Sequence, residues 1–182
     1  MPNSAYTANL PADIIKDSGV LYINGTTPFG ASNGGLSFDP GVDRRNVDFD
    51  SKRSDVMGLD RTIGFAPKIS GSLKKFGTAD VAVFEPASTS AVNAGVTTIT
   101  PKKAGVLLVS GDYLTNVRLV FERGSGGYVW VKFPKALCTK YDVKGKDKDE
   151  ADVSIEIQAR LDLSGALTTD DAPYVIEYAA AI

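Results

Sequence analysis

The 182-residue chain contains no histidine and only one cysteine, Cys138, and these two shortages exclude a great deal. Histidine is the commonest general acid or base near neutral pH and a frequent metal ligand, so its absence removes most catalytic and metal-centre designs. Catalysis would have to rest on carboxylates, lysine or tyrosine, and none of these forms a distinguished pair in the sequence. We expect no enzyme, no cofactor and no metal. The lone cysteine rules out an intramolecular disulfide, and with it a secreted, stapled scaffold. No apolar run approaches the roughly 20 residues that span a bilayer, so membrane insertion is not expected. Met1-Pro2-Asn3-Ser4-Ala5-Tyr6-Thr7 lacks the basic start and apolar core of a secretory signal, so the Asn24-Gly25-Thr26 glycosylation triplet is without consequence. Excess charge is scarce too. A net charge of -2 argues against a protein that grips nucleic acid by neutralising phosphates, although DNA could still pass nearby.

What is present fits one soluble domain over residues 1–182, with 43% hydrophobic and 23% charged residues and enough length for a sizeable core. Residues 1–17 read as a polar N-terminal arm anchored by Leu10, Ile14 and Ile15. Gly19 to Ile23 is a short strand. Thr62 to Phe76 reads as an extended strand with Ile63, Phe65, Ile69 and Leu73 on one face, and Pro67 marks an edge, a bulge or a break. Thr78 to Glu85 suits a short helix with Thr78 as N-cap and Pro86 as stop, a strand being the competing reading. Residues 87–104 form a loop with a short strand at Val96 to Thr100.

From Gly105 onward the pattern is plainly β. Val106 to Val109 is expected as a buried strand, followed by Tyr113 to Glu122 with Val117, Leu119 and Phe121 inward. Tyr128 to Phe133 is apolar on both faces, so one face must meet something other than the core. Leu137 to Val143 and the cleanly alternating Val153 to Leu161 follow, with Lys144 to Glu150 as a charged loop between them. Tyr174 to Tyr178 is a final strand. The expected fold is mainly β: a β-sandwich or partly closed barrel with one short flanking helix and a long projecting loop or hairpin.

Gly124-Ser125-Gly126-Gly127 precedes a strand rather than a helix, so it reads as a hairpin turn and not a phosphate loop. Asp147 to Asp152 has alternating carboxylates but lacks the glycine and distal glutamate of a calcium loop. Cys138 reads as a small buried hydrophobe.

The informative segment is 24–60, long, rich in glycine and charge, and lying between strands. Connections of this length are usually functional. Val47 and Phe49 alternate with Asp48 and Asp50, and a second short strand from Arg53 to Met57 would complete a hairpin turning at Ser51-Lys52. A hairpin of that kind has little core of its own to lie on. Its expected cover is another copy of the chain, contacted through Arg44, Arg45, Val47, Phe49, Lys52, Arg53, Val56 and Met57.

The order of parts resembles the tail tube (major tail) proteins of long-tailed, non-contractile bacteriophages. The resemblance is carried by Ser18 to Gly25, by Phe29 to Phe38, and by the charged hairpin with Val47-Asp48-Phe49-Asp50 and Val56-Met57-Gly58. Pro67 to Phe76, Lys146 to Val153 and Asp171-Ala172-Pro173-Tyr174 complete it. It implies a β-sandwich assembled as stacked hexameric rings into a hollow tube through which genomic DNA passes without specific binding. It also implies tape measure, terminator and distal tail proteins as partners, and a place in the virion tail after assembly in the host cytoplasm. An electronegative bore would keep phosphates off the wall, with Asp48, Asp50, Asp152 and Glu156 as candidate lining acids. The alternatives are a tail terminator, a head-tail connector or a capsid decoration protein with a related sandwich, and, from another class, a carbohydrate-binding β-sandwich.

Overall fold

The computed structural model describes residues 15, 19–24, 27–29, 32–47, 57–74, 81, 83–85, 88–124, 126–146, 149–162 and 172–180. Alternation decides the architecture, because a strand puts every second side chain on one face. In the strand Asp149–Ala159, Val153, Ile155, Ile157 and Ala159 are buried, while Asp152, Ser154, Glu156 and Gln158 between them are not. In chain order the strands are β1 (Val20–Ile23), β2 (Thr27–Pro28), β3 (Ser32–Asp39), β4 (Val42–Asn46), β5 (Asp60–Phe65) and β6 (Lys68–Leu73). They continue as β7 (Thr89–Asn93), β8 (Val96–Thr100), β9 (Leu114–Glu122), β10 (Tyr128–Lys146), β11 (Asp149–Ala159) and β12 (Val175–Ala179). Eight of them form one sheet in the order β2-β1-β9-β10-β11-β6-β3, with β12 also pairing β10. The sheet curls into a half-barrel, so the mainly β, partly closed barrel expected from the sequence is the fold. The curl brings β1 against β3.

Strand β10 is the spine. Its first half lies between β9, with Glu122 opposite Tyr128, and β12, with Ala179 opposite Tyr128; its second half pairs with β11 from Ala136 onward. A straight strand of 19 residues could not keep one face on a curved core, and β10 switches face twice. Phe133 is buried and so is Ala136, an odd interval that is absorbed where Pro134 lies exposed near Asn116, whose φ is 50°. The ladder is irregular again between Cys138 and Lys140. As a result Cys138 and Tyr141, three positions apart, both turn inward, and Lys140 turns out.

The concave face is filled by Leu21, Ile69, Leu73, Val117, Leu119, Val131, Phe133, Val153 and Ile157, all essentially without exposure. Phe84 plugs it. A helical turn, in which the Glu85 N–H donates to the Val81 carbonyl at 2.9 Å, sets Phe84 edge-on to Phe29 and stacked on Tyr141. The helical reading of this segment therefore holds for its described residues, while 78–80 lie outside them. Tyr141 also donates a short hydrogen bond to Glu85. Cys138 is the buried small hydrophobe expected, its Sγ–H donating to the Lys140 carbonyl at 3.4 Å.

Several expectations are corrected. Tyr128 to Phe133 and Leu137 to Val143 are one strand, because Pro134 at an exposed position bends the ladder without ending it. The charged loop expected over Lys144 to Glu150 is mostly ladder, with Lys146 opposite Asp149 and 147–148 outside the described residues. Val106 to Val109 is not a buried strand: the segment is irregular, with Val106, Leu107 and Val109 exposed. Residues 87–104 hold a two-stranded hairpin, β7–β8, rather than one short strand. Of the readings offered for Pro67 within Thr62 to Phe76, the break is the one found: the segment splits at Ala66-Pro67 into β5 and β6, which belong to different sheets.

Two measurements test this packing. Phe84→Ala should lower stability by about 3–5 kcal/mol in urea unfolding, the usual cost of truncating a fully buried phenylalanine. Leu107→Ala, at a site 88% exposed, should leave the midpoint unchanged. Burial also pushes the Cys138 thiol up from 9.0 to about 11. The unfolded chain then loses this proton near pH 9 while the native state holds it, so stability is full below pH 9 and declines as the pH rises toward 11. The loss should reach about 2 kcal/mol by pH 11. Cys138→Ala should reduce that alkaline decline in urea titrations at pH 8 and pH 11, whatever its effect at pH 8.

Candidate functional site

Strands β3 and β6 pair from Ser32 opposite Leu73 to Asp39 opposite Lys68, and β4 and β5 resume the pairing with Val42 opposite Phe65. Between the two ladders the Ala66 N–H donates to the Gly41 carbonyl at 2.9 Å. One long hairpin therefore leaves the edge of the half-barrel, going out along β3–β4 and returning along β5–β6. Its joint is specified locally. Gly41 has a φ of 52°, and a Cβ there would stand 2.2 Å from the Ala66 carbonyl oxygen, so only glycine fits. The Asp39 carboxylate accepts the Gly41 N–H at 3.0 Å, and Pro67, itself buried, accepts the Ala159 N–H at 2.9 Å. The base is further fixed by Tyr174, whose ring lies 6.3 Å from Phe65 and 5.3 Å from Phe38.

Beyond that base the arm stands clear of the core. Val47, Ile63 and Phe65 are 43%, 50% and 47% exposed. A bulge between Asp43 and Arg44, which leaves Ile63 without a partner, keeps either face from becoming wholly apolar. Arg44 is opposite Thr62, and Arg45 is opposite Arg61. Asn46 donates to the Asp60 carboxylate at 2.9 Å. Arg44 forms no ion pair among the described residues. The arm thus presents two faces of mixed charge and exposed apolar groups, on two strands that lie apart from the core among the described residues.

A projecting hairpin is thus present, and its described ladder lies at the base of the segment, while most of the expected 47–50 and 53–57 pairing lies outside the described residues. The Val47 N–H donates to the Leu59 carbonyl at 3.1 Å, and Met57, expected at the end of a strand, lies in a turn with Gly58 and is 96% exposed. Phe49, Lys52, Arg53, Val56, Asp48 and Asp50 lie outside the described residues. The sequence reading included Gly41, Val42 and Asp60 in the 24–60 segment without assigning them to a ladder, and it missed Arg61, Ile63 and Phe65 as parts of the arm. A usable signal was Pro40-Gly41 facing Ala66-Pro67, a paired set of ladder breakers that marks one joint in two strands.

Asp152 and Glu156 share the outer face of β11. Asp152 is paired with Lys74 at 3.1 Å, and Glu156 accepts from the Thr139 hydroxyl at 3.1 Å. Across the neighbouring strands that face carries Lys68, Lys74, Lys140 and Lys144 against Asp39, Asp142, Asp152 and Glu156, a balanced set. On the outer face of β10, Arg118 lies 5.2 Å over the half-buried Trp130 ring, and Lys132 pairs with Glu177 at 3.1 Å. This covers much of the second face that the sequence left unexplained. Gly126 and Gly127 lie in the β9–β10 hairpin turn, where the Gly126 N–H donates to the Arg123 carbonyl, so the glycine-rich stretch turns the chain.

The chain matches no family model and no curated protein. Among the described residues, no helix is long and apolar enough to cross a membrane.

Gly41→Val should lower thermal stability by about 2 kcal/mol, because it combines a left-handed φ with a collision against backbone. Gly58→Ala, in open space at a φ of 90°, should cost less because it carries strain alone.

Proposed function

We propose that this chain is a structural virion protein that polymerises as stacked hexameric rings into a phage tail tube, the conduit for DNA during ejection. The observation that carries the reading is the β4–β5 arm, whose exposed apolar and charged side chains find no cover among the described residues and would gain it from another copy. An arm fixed at a rigid joint and reaching away from its own core suits a heterologous contact, in which one surface of a copy meets a different surface of the next and the contact can repeat indefinitely. Arg44, Arg45 and Val47 stand on that arm, and Phe49, Lys52, Arg53 and Val56 extend the same segment in the sequence. Tape measure, terminator and distal tail proteins would be its further partners, and the virion tail its location.

A wall past which DNA slides should not hold phosphates. The balanced outer face of β3, β6, β10 and β11 fits that requirement, since its lysines are matched by carboxylates and offer little net attraction to a polyanion. If that face lines the bore, Asp152 acts by neutralising Lys74 rather than as a free negative charge. The chemistry proposed is mechanical and electrostatic, with no catalytic step. A carbohydrate-binding role gains no support from Trp130, because an aromatic platform must be open and this ring is half-buried beneath Arg118.

Electron microscopy of the purified, concentrated protein tests the reading: tubes are expected, whereas single rings would indicate a terminator or connector, and a persistent monomer would overturn self-assembly. Val47→Asp combined with Ile63→Asp should abolish tubes without lowering the monomer's melting temperature, since both sites are about half exposed. Normal tubes from that variant would remove the arm from the interface.

A further inference from the structure

A second protrusion has a different character. The β7–β8 hairpin forms a two-stranded sheet of its own, with Thr89 opposite Thr100 and Asn93 opposite Val96. Every residue from Thr89 to Thr98 is exposed, with Val92 and Val96 at 71% and 64%. From Pro86 to Pro101 there is no charged residue, and Val96-Thr97-Thr98-Ile99-Thr100 is β-branched at every position. The register puts Val92 and Ile99 on one face and Ala91 and Val96 on the other, so neither face is the natural water side. The loop that follows repeats the anomaly: Val106, Leu107 and Val109 are 54%, 88% and 60% exposed. That loop is held in shape, because Asp112 accepts the Val109 N–H at 2.7 Å and pairs with Lys102 at 2.9 Å.

An uncharged, β-branched hairpin with open edges is the kind of segment that proteins otherwise protect with lysine, proline or a bulge. Nothing within it supplies that protection. Its cover must be apolar and electrically neutral, since a charged surface would be desolvated against it without compensation. The chain itself carries an exposed strip of matching character: on one face of β12, Ile176 and Tyr178 are 46% and 73% exposed, with the Arg123 guanidinium held 5.6 Å over the Tyr178 ring, and on the other face Val175 is 45% exposed beside Glu177, which is paired with Lys132. We propose that the β7–β8 hairpin is a second copy-to-copy contact, docking on the β12 strip of a neighbouring copy. This rests on the self-assembly reading above and assigns to it a contact separate from the charged arm. The pairing is heterologous, finger to strip, so each copy both gives and receives.

The test uses the full-length protein. Val92→Lys with Val96→Lys should cut the sedimentable, assembled fraction by about tenfold or more, while the monomer's thermal melt stays unchanged because both sites are exposed. Tyr178→Lys should do the same from the receiving side. In a Cys138→Ala background, Val96→Cys with Tyr178→Cys should give disulfide-linked dimers and higher multimers on a non-reducing gel once assembly has occurred, and neither single cysteine should produce the ladder. Normal assembly of the double-lysine variant, or assembled double-cysteine protein that yields no more cross-link than the single variants, would overturn the contact while leaving self-assembly standing. A wild-type protein that never assembles would overturn both.

Discussion

The constraint on which the structure depends is that one strand of 19 residues must serve two neighbourhoods while keeping apolar groups on a curved inner face. Strand β10 meets it by switching face at Pro134 and again between Cys138 and Lys140. If either switch were lost, every side chain beyond it would move to the wrong face, so these irregularities specify the fold as firmly as the regular ladder does. The first lets Phe133 and Ala136 face the same core, and the second aims Tyr141 at Phe84. The helical turn bearing Phe84 is therefore held by the far end of a strand that begins more than forty residues later in the chain. Curl, plug and the approach of β1 to β3 form one cooperative unit.

Most of the half-barrel was legible because its strands are covered on one face and wet on the other. Strand β11 shows this most clearly, with its buried set Val153, Ile155, Ile157 and Ala159 at strict alternation. The continuity of β10 was less legible, since a proline normally argues against a central strand; here its missing N–H costs nothing because the ladder steps around it, from Phe133–Val117 to Lys135–Thr115. Val106 to Val109 misled for the opposite reason. A short apolar run signals burial without saying by what, and within this chain those side chains are exposed. The β7 strand was hidden because Thr89 to Asn93 offers almost no contrast between its faces for periodicity to detect.

The arm was legible as a segment, but the ladder at its base was not. Its length and charge marked 24–60 as unusual, and the described ladder runs through Val42 to Asn46 and Asp60 to Phe65, whereas most of the Val47 to Asp50 and Arg53 to Met57 pairing that alternation suggested lies outside the described residues. The bulge at Ile63 helped to hide the ladder at the base. Alternation within one strand predicts the partner's faces only when the ladder is continuous, and one extra residue exchanges them.

In the proposed assembly the two protrusions would divide the work of association along physical lines. The arm pairs exposed apolar groups with Arg44, Arg45, Asp60 and Arg61, and charges of both signs orient an encounter and penalise a wrong register while contributing little net affinity, the more so in salt. The β7–β8 hairpin has no charge to orient anything; it offers apolar area, whose contribution is non-directional and nearly insensitive to moderate ionic strength. A polymer built with the arm alone would be specific but weakly held, and one built with the hairpin alone would be cohesive but free to slip by two residues along any neutral strand. In the proposed assembly, placing both on one chain would make register a condition of cohesion, because the uncharged contact would be buried only where the charged one is satisfied.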